Sequence, residues 1–464
     1  MSEPAASAED LFFAGNRHMA SGESAQAEAA FREALRLSPD FAEAHANLGW
    51  LSVQSGCPAA AEAHYLRSIA CNPEIGRVHL NLGALLADQK RFAPAAAAYR
   101  RAIALLPGAA APWSNLGVLH ACQQHDDDAE FCYRRALALD PDYQLATFNF
   151  SYLLLRLGRF DEGWRCLEAR AWYAPLENAL SCPRWRGEAL SGKSLLIGIE
   201  AGHGDMIQFC RYADVLKARG AAKITVICHP ALTTLFHSLR AVDAVLAIDE
   251  PWPPSDWDLW TPPLSIPFHC QTRIETIPAA LPYLSAAPHK AAAWSLRMQG
   301  AATELRVGLV WKGNPRFEND ADRSLPGLKT LAPLGTLSGV RFFSLQKGAG
   351  EDEAACPPDD FPLTNLGAQI SDFSDTAAII ANLDLVICVD TAVGHLAGAM
   401  GKACWLLLPD YKADWRWLTG RSDSPWYPGV MQLFRQPRPG DWTTVVAELR
   451  CALQGLVQAS GKER

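Results

Sequence analysis

The stretch DLVICVDTAVGHLAGAMG, Asp384 to Gly401, decides the fold. Leu385 to Val389 is an apolar run of strand length. It ends on the polar pair Asp390-Thr391, and a small-residue segment of helical character follows, with His395 one turn beyond Thr391. The pattern predicts strand, polar turn, helix. A helix N-terminus presents unpaired backbone N–H groups and a partial positive charge, so a strand that delivers one to the edge of a sheet makes an anion site. The same pattern also fits an ordinary buried βα unit with a capping threonine, and the remainder of the chain has to separate the two.

Working outward, the same alternation recurs on both sides. RVGLVWKGN (Arg306 to Asn314) and VRFFSLQKG (Val340 to Gly348) read as strands running into turns, with helices expected over Lys290 to Glu304, Leu328 to Leu337 and Asp372 to Leu383. KACWLLLP (Lys402 to Pro409) is a further strand, and an amphipathic helix is expected over Trp442 to Val457. Earlier in the chain SLLIGIE (Ser194 to Glu200), KITVICHP (Lys223 to Pro230) and AVLAI (Ala244 to Ile248) are strand candidates, with helical spacing over Met206 to Arg219 and in ALTTLFHSL. Strands alternating with helices predict parallel sheets, and two stretches of this size predict twin Rossmann-like domains facing across a cleft.

After the first of these strands comes the turn Gly202-His203-Gly204-Asp205. Its glycines are expected to let the backbone bend tightly and approach a ligand. Asp205 opens the following helix, where it either caps the N-terminus or, above the sheet's edge, acts as a general base; spacing alone favours the cap. The later Asp256-Trp257-Asp258 resembles a metal-binding Asp-x-Asp, but it lies in the low-complexity run PWPPSDWDLWTPP and reads as a surface loop entering a strand.

The first third is organised differently. Gly15, Gly49, Gly83 and Gly117 are each 34 apart, as are Pro39, Pro73, Pro107 and Pro141. Ala27, Ala61, Ala95 and Ala129 keep the register, and so do Phe31, Tyr65, Tyr99 and Tyr133. The pattern resembles the tetratricopeptide repeat, a helical hairpin that stacks into a superhelix. Gly and Ala are expected to let the two helices of a unit approach, the aromatic to fill the gap towards the next unit, and Pro to end the second helix. A fifth unit from Gln144 has Ser151 at the glycine position and Arg170 where a small residue belongs, and reads as a capping repeat. Asn47, Asn81, Asn115 and Asn149 share the same period. Their amides either form a ladder that holds an extended polypeptide or bond neighbouring repeats.

Composition narrows the function. With 49% hydrophobic and 20% charged residues the chain is globular, and a net charge of −8 gives no basic face for nucleic acid. No apolar run is long enough to span a bilayer, and MSEPAASAED lacks the basic flank and apolar core of a signal peptide, so a cytoplasmic protein is expected. The 13 cysteines form no Cys-x-x-Cys and the closest two, Cys122 and Cys132, are ten apart, which fits reduced thiols and no structural metal.

Five blocks then occur in order: IEAGHGDMIQFCRY, VGLVWKGNPRFENDADRS, FFSLQKG, VDTAVGHLAGAMGK and DWRWLTGRSDSPWYP. Together with the repeats they resemble the bacterial tetratricopeptide-repeat glycosyltransferases whose catalytic half is heptosyltransferase-like (glycosyltransferase family 9-like). The more distant protein O-linked N-acetylglucosamine transferases share the layout. The resemblance implies an all-α repeat superhelix followed by a GT-B α/β fold, with repeats over 8–173, a linker over 174–193, an acceptor-side half over 194–304 and a donor-side half over 305–464. It implies inverting sugar transfer from a nucleotide sugar without a metal or other cofactor. Carried over by position, it makes Asp205 the base, reversing the preference for a cap, with Gly202, His203 and Gly204 as the acceptor-side loop. Asp390, Thr391 and His395 then contact the donor, with Arg323 and Lys312 as the basic groups. Trp415, Arg416 and Trp417 either frame the nucleobase or pack in the core.

Three positions depart from the pattern. His203 stands where a bulky apolar residue is usual, Ala201 replaces a polar one, and Ala392 replaces the glycine after Asp-Thr. The repeats imply a protein or peptide acceptor or partner. The competing reading is a polypeptide-binding scaffold with an inactive transferase-like domain.

Overall fold

The computed structural model of the protein describes residues 6–253, 256–299 and 304–460. Residues 1–5 of the acidic N-terminal stretch, two positions of the proline-rich run (254–255) and the end of the helix expected to reach Glu304 (300–303) lie outside them. The chain separates into two compact units, Met1–Leu153 and Leu154–Arg464. None of the described helices is long and apolar enough to cross a membrane.

The first unit is built of helical hairpins: Ala8–Ala20 with Ser24–Leu37, Ala42–Gln54 with Pro58–Cys71, Gly76–Asp88 with Phe92–Leu105, and Ala110–Cys122 with Asp126–Leu139. Each second helix stops two residues before its proline, as the missing N–H and the restricted residue ahead of proline require. The periodic alanines Ala27, Ala61, Ala95 and Ala129 are fully buried. The periodic aromatics pack with residues of the next unit, as Tyr133 does with Phe150 at 5.4 Å, and each ring also lies on the glycine of its own hairpin. A Cβ on Gly15, Gly49 or Gly83 would stand 2.5, 2.5 or 2.6 Å from Phe31, Tyr65 or Tyr99, and on Gly117 3.0 Å from Tyr133. The ring needs the volume that the missing side chain leaves. At the fifth glycine position, Ser151 satisfies itself by donating to the Phe148 carbonyl at 2.6 Å.

The second unit holds two parallel sheets. The first contains β1 (Ser194–Ile197), β2 (Lys223–Cys228), β3 (Ala244–Ala247) and β4 (Leu259–Thr261) in the order β3-β2-β1-β4. The second contains β5 (Leu305–Val310), β6 (Val340–Ser344), β7 (Leu363–Asn365), β8 (Leu385–Val389), β9 (Cys404–Leu408) and β10 (Met431–Arg435) in the order β10-β9-β8-β5-β6-β7. Every residue of β8 and β9 is buried, the signature of strands covered on both faces. On one face Val307, Leu309, Ile387 and Leu407 pack with Val445, Leu449 and Leu453 of the closing helix Trp442–Ser460.

Three expected helices differ. The one expected over Lys290 to Glu304 is Pro288–Arg297, with Met298 as its C-cap. The segment over Met206 to Arg219 is two helices, His203–Phe209 and Tyr212–Ala218, because the Arg211 guanidinium takes the Gln208 carbonyl at 2.8 Å. Leu328–Leu334 is a 3₁₀ helix with Pro333 inside it, a residue that cannot supply an α-helical N–H. Asp258 of the discounted Asp-x-Asp accepts from the Ser194 backbone N–H at 2.8 Å and its hydroxyl at 2.9 Å, tying the entry of β1.

Strand order reverses on either side of β1 in one sheet and of β5 in the other, with β5 paired to both β6 and β8. In open α/β sheets ligands bind beyond the carboxyl ends of the strands at such a reversal. The turns after β1, β5 and β8 are the places to look.

Candidate functional site

Beyond β8, Thr391 is the N-cap of the helix Ala392–Ala399, with extended backbone angles of −143° and 169°. Its hydroxyl does not cap the helix; Oγ1 is buried without a well-formed hydrogen bond. His395, one turn on, is buried. Its ring lies against Trp417 at 5.1 Å and its Nδ1 is 2.9 Å from the Tyr427 hydroxyl. Burial, and then the charges of Arg416 and Arg211, push its pKa well below the usual histidine range, so it stands as a neutral ring.

The turn after β1 meets this helix directly. A Cβ on Gly204 would be 3.0 Å from His395 Cδ2 and 3.6 Å from Ala392 Cα, so this glycine lies where the two helices approach closely. This corrects the expectation that the glycines supply the tight bend. The left-handed residue is Ala201, at φ 58°, while Gly202 has an ordinary φ of −93°. His203 stacks between His229 at 4.4 Å and Phe373 at 5.1 Å. Burial and the neighbouring His229 push its pKa down to about 4.

Asp205 is held through both of its carboxylate oxygens. Oδ2 accepts from the Gly202 backbone N–H at 2.8 Å, a cap-type bond, and Oδ1 is paired with the Arg416 guanidinium. The side chain keeps 22% of its surface exposed. Arg416 is buried on the 3₁₀ turn Trp415–Trp417 and also holds Gln208 Oε1 at 2.5 Å and both Asp414 oxygens at 3.0 Å. Trp415 and Trp417 are buried in the core, Trp415 edge-on to Trp164 at 5.3 Å, so neither offers an open face to a nucleobase.

Asp390 sits among charged groups. Desolvation, then the Asp414 carboxylate, push its pKa up to about 6, against the opposing pull of the Trp417 indole N–H, Arg323 and Arg416. Arg323 ends the short helix Asp320–Arg323 beyond β5, bonded to Asp320 Oδ1 at 3.1 Å and lying over Phe317. Lys312, directly after β5, turns its ammonium to the Pro326 carbonyl at 2.7 Å. Asp205, Asp390, Thr391, His395 and Arg323 are thus linked by direct contact or shared charge, with Lys312 turned to a carbonyl at the end of β5. Sequence reading missed Arg416 as the partner of Asp205. It stood in a quoted block, but nothing local shows that residues 211 positions apart meet.

The asparagines of the repeats face inward to neighbouring units where their bonds are seen. Asn47 is buried and donates to Asn16 Oδ1 at 2.8 Å, and Asn81 lies beside the Tyr65 hydroxyl of the preceding hairpin. Asn115 and Asn149 are half-buried.

Comparison with known proteins gives names to both parts. Tetratricopeptide-repeat family profiles match residues 14–74, 53–110 and 110–143. The glycosyltransferase family 9 (heptosyltransferase) profile matches residues 339–404, which include Asp390, Thr391 and His395. Protein FlbA of Caulobacter vibrioides is 27% identical over 348 residues, 68% of this chain and 55% of FlbA, so the match spans about half that relative's length. Among solved structures, MamA is 20% identical, covering 35% of this chain and 88% of its own, with a TM-score of 0.32. The Pseudomonas aeruginosa pilF structure is 19% identical, covering 46% of this chain and 87% of its own, with a TM-score of 0.36. The chain therefore carries tetratricopeptide repeats followed by a glycosyltransferase family 9 (heptosyltransferase) segment, set in a parallel-sheet α/β fold consistent with GT-B.

Proposed function

We propose that the protein transfers a sugar from a nucleotide-sugar donor to an acceptor hydroxyl with inversion, in the cytoplasm, and that its repeats recruit a protein or peptide acceptor. The observation that carries this reading is the contact of Gly204 with His395 and Ala392, which brings Asp205 to the N-terminal end of the helix after β8. A base and an anion-binding helix end are then neighbours at the strands' carboxyl edge.

In the proposed reaction the acceptor oxygen bonds to the anomeric carbon as the bond to the diphosphate breaks. Asp205 takes the hydroxyl proton, and the leaving diphosphate carries away the electron pair. Backbone N–H groups at Thr391, with Arg323 and Lys312, meet the growing negative charge, so the proposal asks for no metal. An ionised carboxylate offers about four lone-pair sites. Gly202 and Arg416 engage Asp205 on different oxygens, and its exposed part is where the acceptor would enter. Neutral, buried His395 serves as a wall that sets the helix in place.

Asp205→Asn should lower turnover by ~10²–10⁴-fold while nucleotide-sugar binding, followed by calorimetry, stays within about twofold. Retained turnover removes Asp205 as the base. A thermal-shift screen of nucleotide sugars finds the donor, since a ligand at ~100 times its Kd adds ~2.7 kcal/mol of stability. If no donor shifts the wild-type protein, the transferase reading gives way to a binding scaffold.

A further inference from the structure

We propose that His120, His125 and Asp128 of the fourth hairpin form a binding site for a divalent late first-row transition metal ion of the zinc class. One ligand atom from each of the three lies within 4.8 Å of the others. Two imidazoles and one carboxylate are the donor set that such ions prefer, and nitrogen donors disfavour calcium and magnesium. Three protein ligands leave a fourth position for water or a partner's side chain.

The turn sets the geometry. His120 lies in the last turn of Ala110–Cys122, and His125 is the N-cap of Asp126–Leu139, with Asp128 one turn further on the same helix. Gln124 adopts a left-handed φ of 60°, and the His125 N–H returns to the His120 carbonyl at 3.0 Å. This fold-back brings the two rings to a centroid separation of 5.9 Å. Around a tetrahedral ion with ~2.0–2.1 Å bonds, ligand atoms stand roughly 3.4 Å apart. Closing from 4.8 Å to that spacing needs roughly 1.4 Å of side-chain movement, and His125 and Asp128 are both exposed and able to rotate.

Two further observations point to a ligand here. His120 Nδ1 is buried without a hydrogen-bond partner, an orphan of the kind a coordinated ion removes. In the first hairpin, the residues at the register of His120 and His125 are His18 and Glu23, whose Nδ1 and Oε2 are in direct contact at 2.5 Å. These two positions therefore meet across the turn, and only in the fourth hairpin does a His-His-Asp set fill them and the position three residues on. Arg100 is the opposing charge close by; Asp128 and its neighbours Asp126 and Asp127 outnumber it.

The test uses the full chain, freed of affinity-tag histidines, treated with chelator and then titrated with Zn²⁺ in a calorimeter and Co²⁺ in a visible spectrometer. The expected result is tight uptake of one equivalent, a cobalt d–d band, and a rise in melting temperature with Zn²⁺ that Mg²⁺ and Ca²⁺ do not give. His125→Ala and Asp128→Asn, both at exposed positions and so compatible with folding, should each weaken uptake by more than about tenfold, the least that even outer-shell partners of a metal site usually cost. Equal uptake by wild type and both variants, or a wild-type preference for Ca²⁺ or Mg²⁺, would overturn the site.

Discussion

Burial beside Asp414 makes the charge of Asp390 costly to the fold. Its pKa is pushed up to about 6 from the ordinary carboxylate value of 3.8, so between those limits the folded chain holds a proton that the unfolded chain has lost. Its contribution to stability is therefore present below about pH 4 and is lost as the pH rises through about 6. Asp390→Asn should flatten the wild-type decline in unfolding free energy over that interval, measured by urea titration at a series of pH values; an unchanged slope would show that another group sets it. The residues after β8 were legible in the sequence because a strand, a Thr cap and one helical turn place them by local geometry. The Arg416 pair was not, since it depends on how two βα units far apart in sequence come together. His395 was legible in position but not in state: its burial under Trp417 and against Tyr427 is set by a segment that follows it by more than twenty residues.

Among the elements, the hairpins of the first unit were the most readable, because a fixed period repeats one packing solution. What the period does not reveal is that each aromatic ring also lies on the glycine of its own hairpin. That placement gives a graded expectation. Gly83→Ala puts a methyl 2.6 Å from the Tyr99 ring and should destabilise by ~1–3 kcal/mol. Gly117→Ala meets Tyr133 at 3.0 Å, where a shift of a few tenths of an ångström suffices, and alanine's better helix propensity of about 1 kcal/mol offsets much of the cost. Denaturant unfolding of the two variants should rank them in that order. In the second unit the central strands were readable as continuous apolar runs. The edge strands β7 and β10 were not, because three residues in one case and a Gln and Arg in the other leave no such run.

For the whole molecule, the informative residue is Arg170, which the repeat pattern marks as a misfit. It is buried in the second unit and holds Glu200, beyond the end of β1, through Nε at 2.6 Å and Nη2 at 3.1 Å, while donating to Ser265 at 2.8 Å. Glu200's side chain is fully enclosed, so removing the guanidinium leaves a buried carboxylate unpaired, a loss of about 3–5 kcal/mol. A fragment spanning 174–464 lacks it, along with Phe160 and Trp164, whose rings pack with Trp426 at 6.1 and 6.3 Å; a fragment spanning 154–464 keeps all three. The longer fragment should unfold cooperatively and the shorter should be less stable by at least that amount, with equal stability counting against the role given to Arg170. The same ion pair bears on how such chains are recombined. A junction chosen where the repeat motif ends would sever it, so exchanging one repeat array for another leaves the second unit whole only when the splice lies upstream of residue 154, and the last helix of the array travels with that unit as part of its inheritance.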